Sequence, residues 1–200
     1  MLGAWRQFRW TAAAAACLIG ARSAAATPPA ALTPAPAAAP PAAAAAPPSP
    51  AEQSVKAGYL AKFAPFVVWP AESFAGPTAP LVLCVQGDDP FGETLDRLTA
   101  GQSVGAHPII VRRVARIDAD SGCHIAYLAG SSTQSAAAAL KALEGRPVLT
   151  VTDGEGGERG IVHLVQTNGR VRFAIDAARA GQCGLAISSK LLALASEVKR

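Results

Sequence analysis

The sequence predicts an α/β fold. A single domain carries a mostly parallel sheet, helices on both of its faces, and a C-terminal β-hairpin followed by a final helix. Three observations point there. Short apolar or β-branched runs at Leu81–Gln86, Ile109–Val114, His124–Leu128 and Val148–Val151 alternate with helical segments, the rhythm of strands buried on both faces. Two alternating runs, Ile161–Gln166 and Arg170–Ile175, flank Asn168-Gly169, a strong signal for a type I′ hairpin. The segment that carries all of these, residues 52–200, is about 150 residues long, enough for one domain with its own core.

Two segments precede that domain. Arg6 and Arg9 lead into an apolar run from Trp10 to about Ala21, and Ala24-Ala25-Ala26 ends it. A basic start, a short apolar stretch and an A-x-A site make residues 1–26 a cleaved secretory signal peptide, with Thr27 as the expected new N-terminus. The run of about 12 residues is well short of the roughly 20 that span a bilayer, so the processed chain is not expected to be a membrane protein. Cys17 follows too short an apolar run for a lipoprotein signal. Residues 27–51 hold nine prolines, no charge and almost nothing but Ala otherwise. With few amide donors and no apolar face to bury, they are expected to form an extended, disordered linker.

Signal cleavage changes the charge argument. The chain has 18 Lys+Arg, 14 Asp+Glu and a formal charge of +4. Arg6, Arg9 and Arg22 leave with the signal and no acid does, which brings the formal charge to +1. The basicity is therefore mostly a targeting signal, and a nucleic-acid surface is not indicated.

The domain opens with a helix expected over residues 53–68, where Val55, Tyr59, Phe63, Phe66 and Val67 fall on one stripe. Pro65 should kink or split it, and Pro70 should end it. The first strand stops at Gly87-Asp88-Asp89-Pro90, and helices are expected near 91–99 and 134–144. The hairpin register places Val162, Leu164, Val171, Phe173 and Ile175 on one face, and His163, Val165, Arg170 and Arg172 on the other. A short turn or helix near 177–182 follows. Ser188 or Ser189 should then cap a final helix that turns Leu191, Leu192, Ala195 and Val198 inward.

The stretches VKAGYLAKFAPFVVWP (55–70), PLVLCVQGDDPFG (80–92), CHIAYLAGSS (123–132), PVLTVTD (147–153), GRVRFAID (169–176) and GLAISSKLLALA (184–195), in this order and spacing, resemble the YfiR/HmsC-like periplasmic proteins. The resemblance covers residues 54–198. It implies a non-enzymatic repressor that binds the periplasmic sensory domain of an inner-membrane diguanylate cyclase, and so lowers cyclic-di-GMP and biofilm output. The alternative is a periplasmic small-ligand-binding module unconnected with cyclic-di-GMP.

Cys84 and Cys123 occupy positions that are often cysteine in that family, and export makes an oxidised pair reasonable. If their strands are neighbours, a bond fits; otherwise both are buried thiols. Cys183 is odd in number and departs from the family pattern, so it is expected to be unpaired or intermolecular.

No other motif carries chemistry. His107, His124 and His163 lack CxxC, HxxH or HExxH spacing, so neither a metal nor a cofactor is expected. The Gly-rich run Asp153–Gly160 misses the GxGxxG spacing, carries acids and leads into a strand. Asp88-Asp89 reads as turn chemistry and Ser188-Ser189-Lys190 as a helix cap. The remaining candidates are binding surfaces. His163, Arg170 and Arg172 could hold an anion or an acidic partner, against the plainer role of a solvated strand face. Arg112, Arg113 and Arg116 invite the same reading. Tyr59, Phe66 and Trp69, on the first helix and its exit, are candidate interface anchors, with core filling as the competing role. The expected partners are a cyclase periplasmic domain, a candidate small ligand and, as a homodimer, a second copy of the chain.

Overall fold

The computed structural model describes residues 49–154 and 157–200; the expected signal peptide and nearly all of the expected linker lie outside them. Helix α1 (Pro50–Phe63) starts two residues before the expected domain boundary. Ser49 caps it by accepting the Glu52 N–H at 3.2 Å, and Pro50 sits at a first-turn position where no amide is needed. The expected 53–68 helix is cut short after Phe63. Pro65 has no N–H to continue the ladder, so the chain tightens into a 3₁₀ turn over Ala64–Phe66 and runs into the short strand β1 (Val67–Val68).

Strand β2 (Leu81–Gly87) leads through Gly92 to α2 (Glu93–Thr99), then β3 (Ser103–Val104) and β4 (His107–Val114). Next come β5 (Ile125–Gly130), α3 (Ala136–Ala142) and β6 (Leu149–Asp153). The hairpin is β7 (Val162–Thr167) and β8 (Arg170–Asp176). The chain ends in α4 (Ala177–Gln182), β9 (Ala186–Ile187), α5 (Ser189–Leu194) and β10 (Glu197–Lys199).

The main sheet runs in the order β10-β8-β7-β6-β5-β2-β4-β3. Strands β4, β2, β5, β6 and β7 are parallel; β8 turns back against β7, and β10 runs parallel to β8. The hairpin register is the expected one: Val162 faces Ile175 and Leu164 faces Phe173, about a turn with positive φ at Asn168 (52°) and Gly169 (70°).

Alternation along the strands builds two cores. Leu81, Leu83 and Val85 point to one face and pack with Leu60 and Phe63 of α1 and Leu95 of α2. Val82 and Cys84 point to the other, with Ala139 of α3 and Leu143. Each such side chain contributes roughly 1.5–3 kcal/mol by leaving water, so both layers are needed to hold the sheet.

The C-terminal expectation needs one correction. Ser188 does cap α5, but the helix stops at Leu194 and Val198 lies on β10, not on the helix. Ser196 ends the helical course by donating both its N–H and its hydroxyl to the Phe173 carbonyl, each at 2.9 Å. That anchors the next residues alongside β8.

Candidate functional site

In parallel α/β sheets, ligands usually bind in a crevice at the carboxyl ends of the strands, where the chain order reverses. Here that reversal lies between β2 and β5, because β4 is laid on one side of β2 and β5 on the other. The crevice is closed. Gly87 has φ of +85°, and a Cβ there would stand 2.1 Å from the Gly130 carbonyl oxygen. Beneath it, the buried Gln86 amide donates to the Gln134 carbonyl at 3.0 Å and accepts the Gly130 N–H at 3.2 Å. The Gln134 side chain in turn holds the Ile117 N–H and carbonyl, both at 2.8 Å. Asp89 is spent on structure as well: one oxygen accepts the Phe91 N–H at 2.7 Å and the other meets Arg113 Nε at 2.7 Å. Arg113 also reaches Asp96 at 2.6 Å, and its guanidinium holds that carboxyl below the usual carboxylate range.

A buried ion pair ties α1 to the same end of the sheet. Lys56, 7% exposed, meets Asp153 of β6 at 2.8 Å and Glu52 at 2.7 Å. Burial alone would lower the lysine's pKa, but the hydrogen bonds to the two carboxylates outweigh it and the net shift is upward.

At the opposite end of β5, the residues near Trp69 form an aromatic stack. Phe74 lies between His107 and His124, with ring centroids 3.9 and 4.3 Å away. His124 is buried and accepts the Val82 N–H on Nδ1 at 3.1 Å, so Nε2 carries the proton and donates to the Ser73 carbonyl at 3.1 Å. A neutral ring satisfies both contacts; burial depresses the pKa, and His107 and Arg112 nearby add to that.

Cys84 of β2 and Cys123, two residues before the adjacent strand β5, are joined in a disulfide with Cα atoms 5.8 Å apart. The Arg112 guanidinium donates to the Ser121 carbonyl and lies 3.6 and 3.7 Å from the two sulfurs. Cys183 is a buried free thiol, pushed up by burial.

The expected surface clusters fare differently. Arg170 and Arg172 are exposed on the hairpin, but His163 does not join them in an open site. It is 3% exposed, with Nδ1 2.9 Å from the Thr152 hydroxyl, because β6 lies beside that part of β7. Trp69 is not an exposed anchor: it is 7% exposed and donates Nε1–H to the His124 carbonyl at 3.1 Å. Tyr59 and Phe66 are half-buried against the main core, and Tyr59 packs edge-on to Phe173, centroids 5.3 Å apart. The exposed apolar residue at that exit is Val68, at 66%. Sequence reading passed over Lys56, Gln86 and Gln134; Gln86 at the end of an apolar strand was a visible sign of a buried polar tie, whereas Gln134 sits among Ser and Thr and gave none.

The model of the YfiR/HmsC-like family matches residues 53–196, nearly all of the described domain. The chain belongs to the YfiR/HmsC-like family. Members of that family are periplasmic regulators of diguanylate cyclase signalling rather than enzymes. No curated protein matches the chain. No helix among the described residues is long and apolar enough to cross a membrane.

Proposed function

We propose that this protein represses an inner-membrane diguanylate cyclase by binding its periplasmic sensory region, so lowering cyclic-di-GMP and biofilm output. Family membership across residues 53–196 carries the reading, and a carboxyl-end crevice packed with structural hydrogen bonds supports a binding role over catalysis. The basic, short apolar N-terminus delivers the chain to the periplasm and is cleaved near Thr27. The exposed hairpin arginines Arg170 and Arg172, and the half-buried Tyr59 and Phe66 beside exposed Val68, are the surfaces offered to the cyclase.

Deleting the gene should raise cyclic-di-GMP and biofilm, and the purified domain should bind the periplasmic region of a cyclase from the same cell. Unchanged cyclic-di-GMP together with no binding to any periplasmic cyclase sensor would defeat the proposal.

A further inference from the structure

A cavity of about 560 Å³ opens where α3, the start of β6 and the end of α4 meet, well away from the carboxyl-end crevice. Its size lies within the ~300–1,000 Å³ usual for small-molecule sites. Leu140, Leu143, Val148 and Ile161 make an apolar wall. The charged groups on it balance, Lys141 and Arg179 against Glu144 and Glu158. The Thr150 side chain, 5% exposed, accepts the Ile161 N–H at 2.9 Å, and among the described residues nothing accepts its own hydroxyl proton. Lys141 and Arg179 line the same cavity, and neither meets a carboxylate among the described residues. Arg179 is instead held by the Arg159 carbonyl at 2.6 Å, which fixes its guanidinium at the rim. The Cys183 thiol lies on the same cavity wall. Glu144 and Glu158 share the rim, so a multiply charged anion is repelled.

From this arrangement we infer that the cavity binds a small monocarboxylate with an apolar body, its carboxylate held between Lys141, Arg179 and the Thr150 hydroxyl. The apolar body covers the Leu140–Ile161 wall and shields Cys183. This site does not depend on the cyclase reading, and its test does not involve the cyclase.

Cys183 is a built-in reporter, because it is the free cysteine of the described domain and lines the cavity. The full exported chain is treated with methyl methanethiosulfonate at mildly alkaline pH, and modification of Cys183 is followed by peptide mapping with decanoate, decanol or decylamine present. Decanoate should slow modification in a saturable way, and the other two should protect much less. The Lys141→Ala/Arg179→Ala variant should weaken decanoate protection by about tenfold or more, the factor that corresponds to losing ~1.4 kcal/mol of charge-assisted contact. Ala138→Trp, at an exposed position of α3 on the cavity wall, should abolish protection with the unfolding midpoint unchanged. Equal protection by decanol, or decanoate protection unaffected by the double variant, would overturn the carboxylate assignment. No protection by any of the three would overturn the site.

Discussion

Replacing Cys123 with Ser should destabilise the domain by about 4 kcal/mol. The bond closes a loop of 39 residues between Cys84 and Cys123. In the chain-entropy account, such a loop removes ~13 cal/mol/K from the unfolded chain, or ~4 kcal/mol at room temperature. A second contribution has the same sign: Cys84 is fully buried among Val82, Ile117, Ala126 and Leu128, and the new serine brings a hydroxyl to the edge of that apolar cluster. Against a typical total of about 5–15 kcal/mol, a loss of this size is a large part of the fold's stability. Urea unfolding followed by far-UV circular dichroism measures it. With a slope near ~2 kcal/mol/M, the midpoint should fall by about 2 M. The Cys84→Ala/Cys123→Ala variant and the reduced wild type should show comparable losses, since all three lack the same cross-link. A midpoint within ~0.3 M of the oxidised wild type would refute the reasoning, for the bond would then be constraining nothing that the native contacts do not already hold.

Three further outcomes follow from the geometry. His124 is neutral when folded and its pKa is depressed, so its share of stability is complete above the unfolded value of about 6.5 and is lost as pH falls below it; each unit of depression is worth about 1.4 kcal/mol. An NMR titration should find its ring unprotonated at pH values where free histidine is charged, and an ordinary midpoint near 6.5 would contradict the buried, doubly bonded imidazole. Gly87→Ala should cost about 3 kcal/mol or prevent folding, because its Cβ meets the Gly130 carbonyl. Gly169→Ala, at positive φ (70°) in the hairpin turn with nothing within 4 Å, should cost only about 1 kcal/mol; equal midpoints for the two would remove the close-approach argument. Lys56→Met should cost roughly 3 kcal/mol by leaving Glu52 and Asp153 facing each other, and adding Asp153→Asn should recover part of that loss; additive losses would show the pair to be uncoupled.

Much of the architecture was legible because local signals and tertiary demands agreed. The apolar runs at β2, β5 and β6 are short, bounded by turn residues and read as strands buried on both sides, and Asn168-Gly169 sets its hairpin register with two residues able to take positive φ. What escaped were elements decided by distant partners. Val198 fits the helical stripe of Leu191, Leu192 and Ala195, and only the pairing of β10 with β8 places it on a strand. The paired β1 and β9 are two residues each, too short to show any period. Trp69 and His163 looked like surface candidates because burial depends on what lies across them: His124 and Phe74 for one, β6 for the other. The cavity beside α3 is invisible in sequence for the same reason, since its walls come from three separated segments.

Strand β10 has a practical consequence. It pairs with the outer rim of β8 along Ala174–Asp176, and the family match ends at residue 196, just before it. A chain trimmed at the apparent family limit would keep every core residue yet leave Ala174–Asp176 of β8 without a partner strand on that side. Such a bare rim recruits strands from other molecules. Glu197 and Lys199, reaching back to Arg159 and Asp176, put alternating charge on the rim that replaces it. A C-terminally shortened version should therefore be judged by light scattering before any binding result is believed.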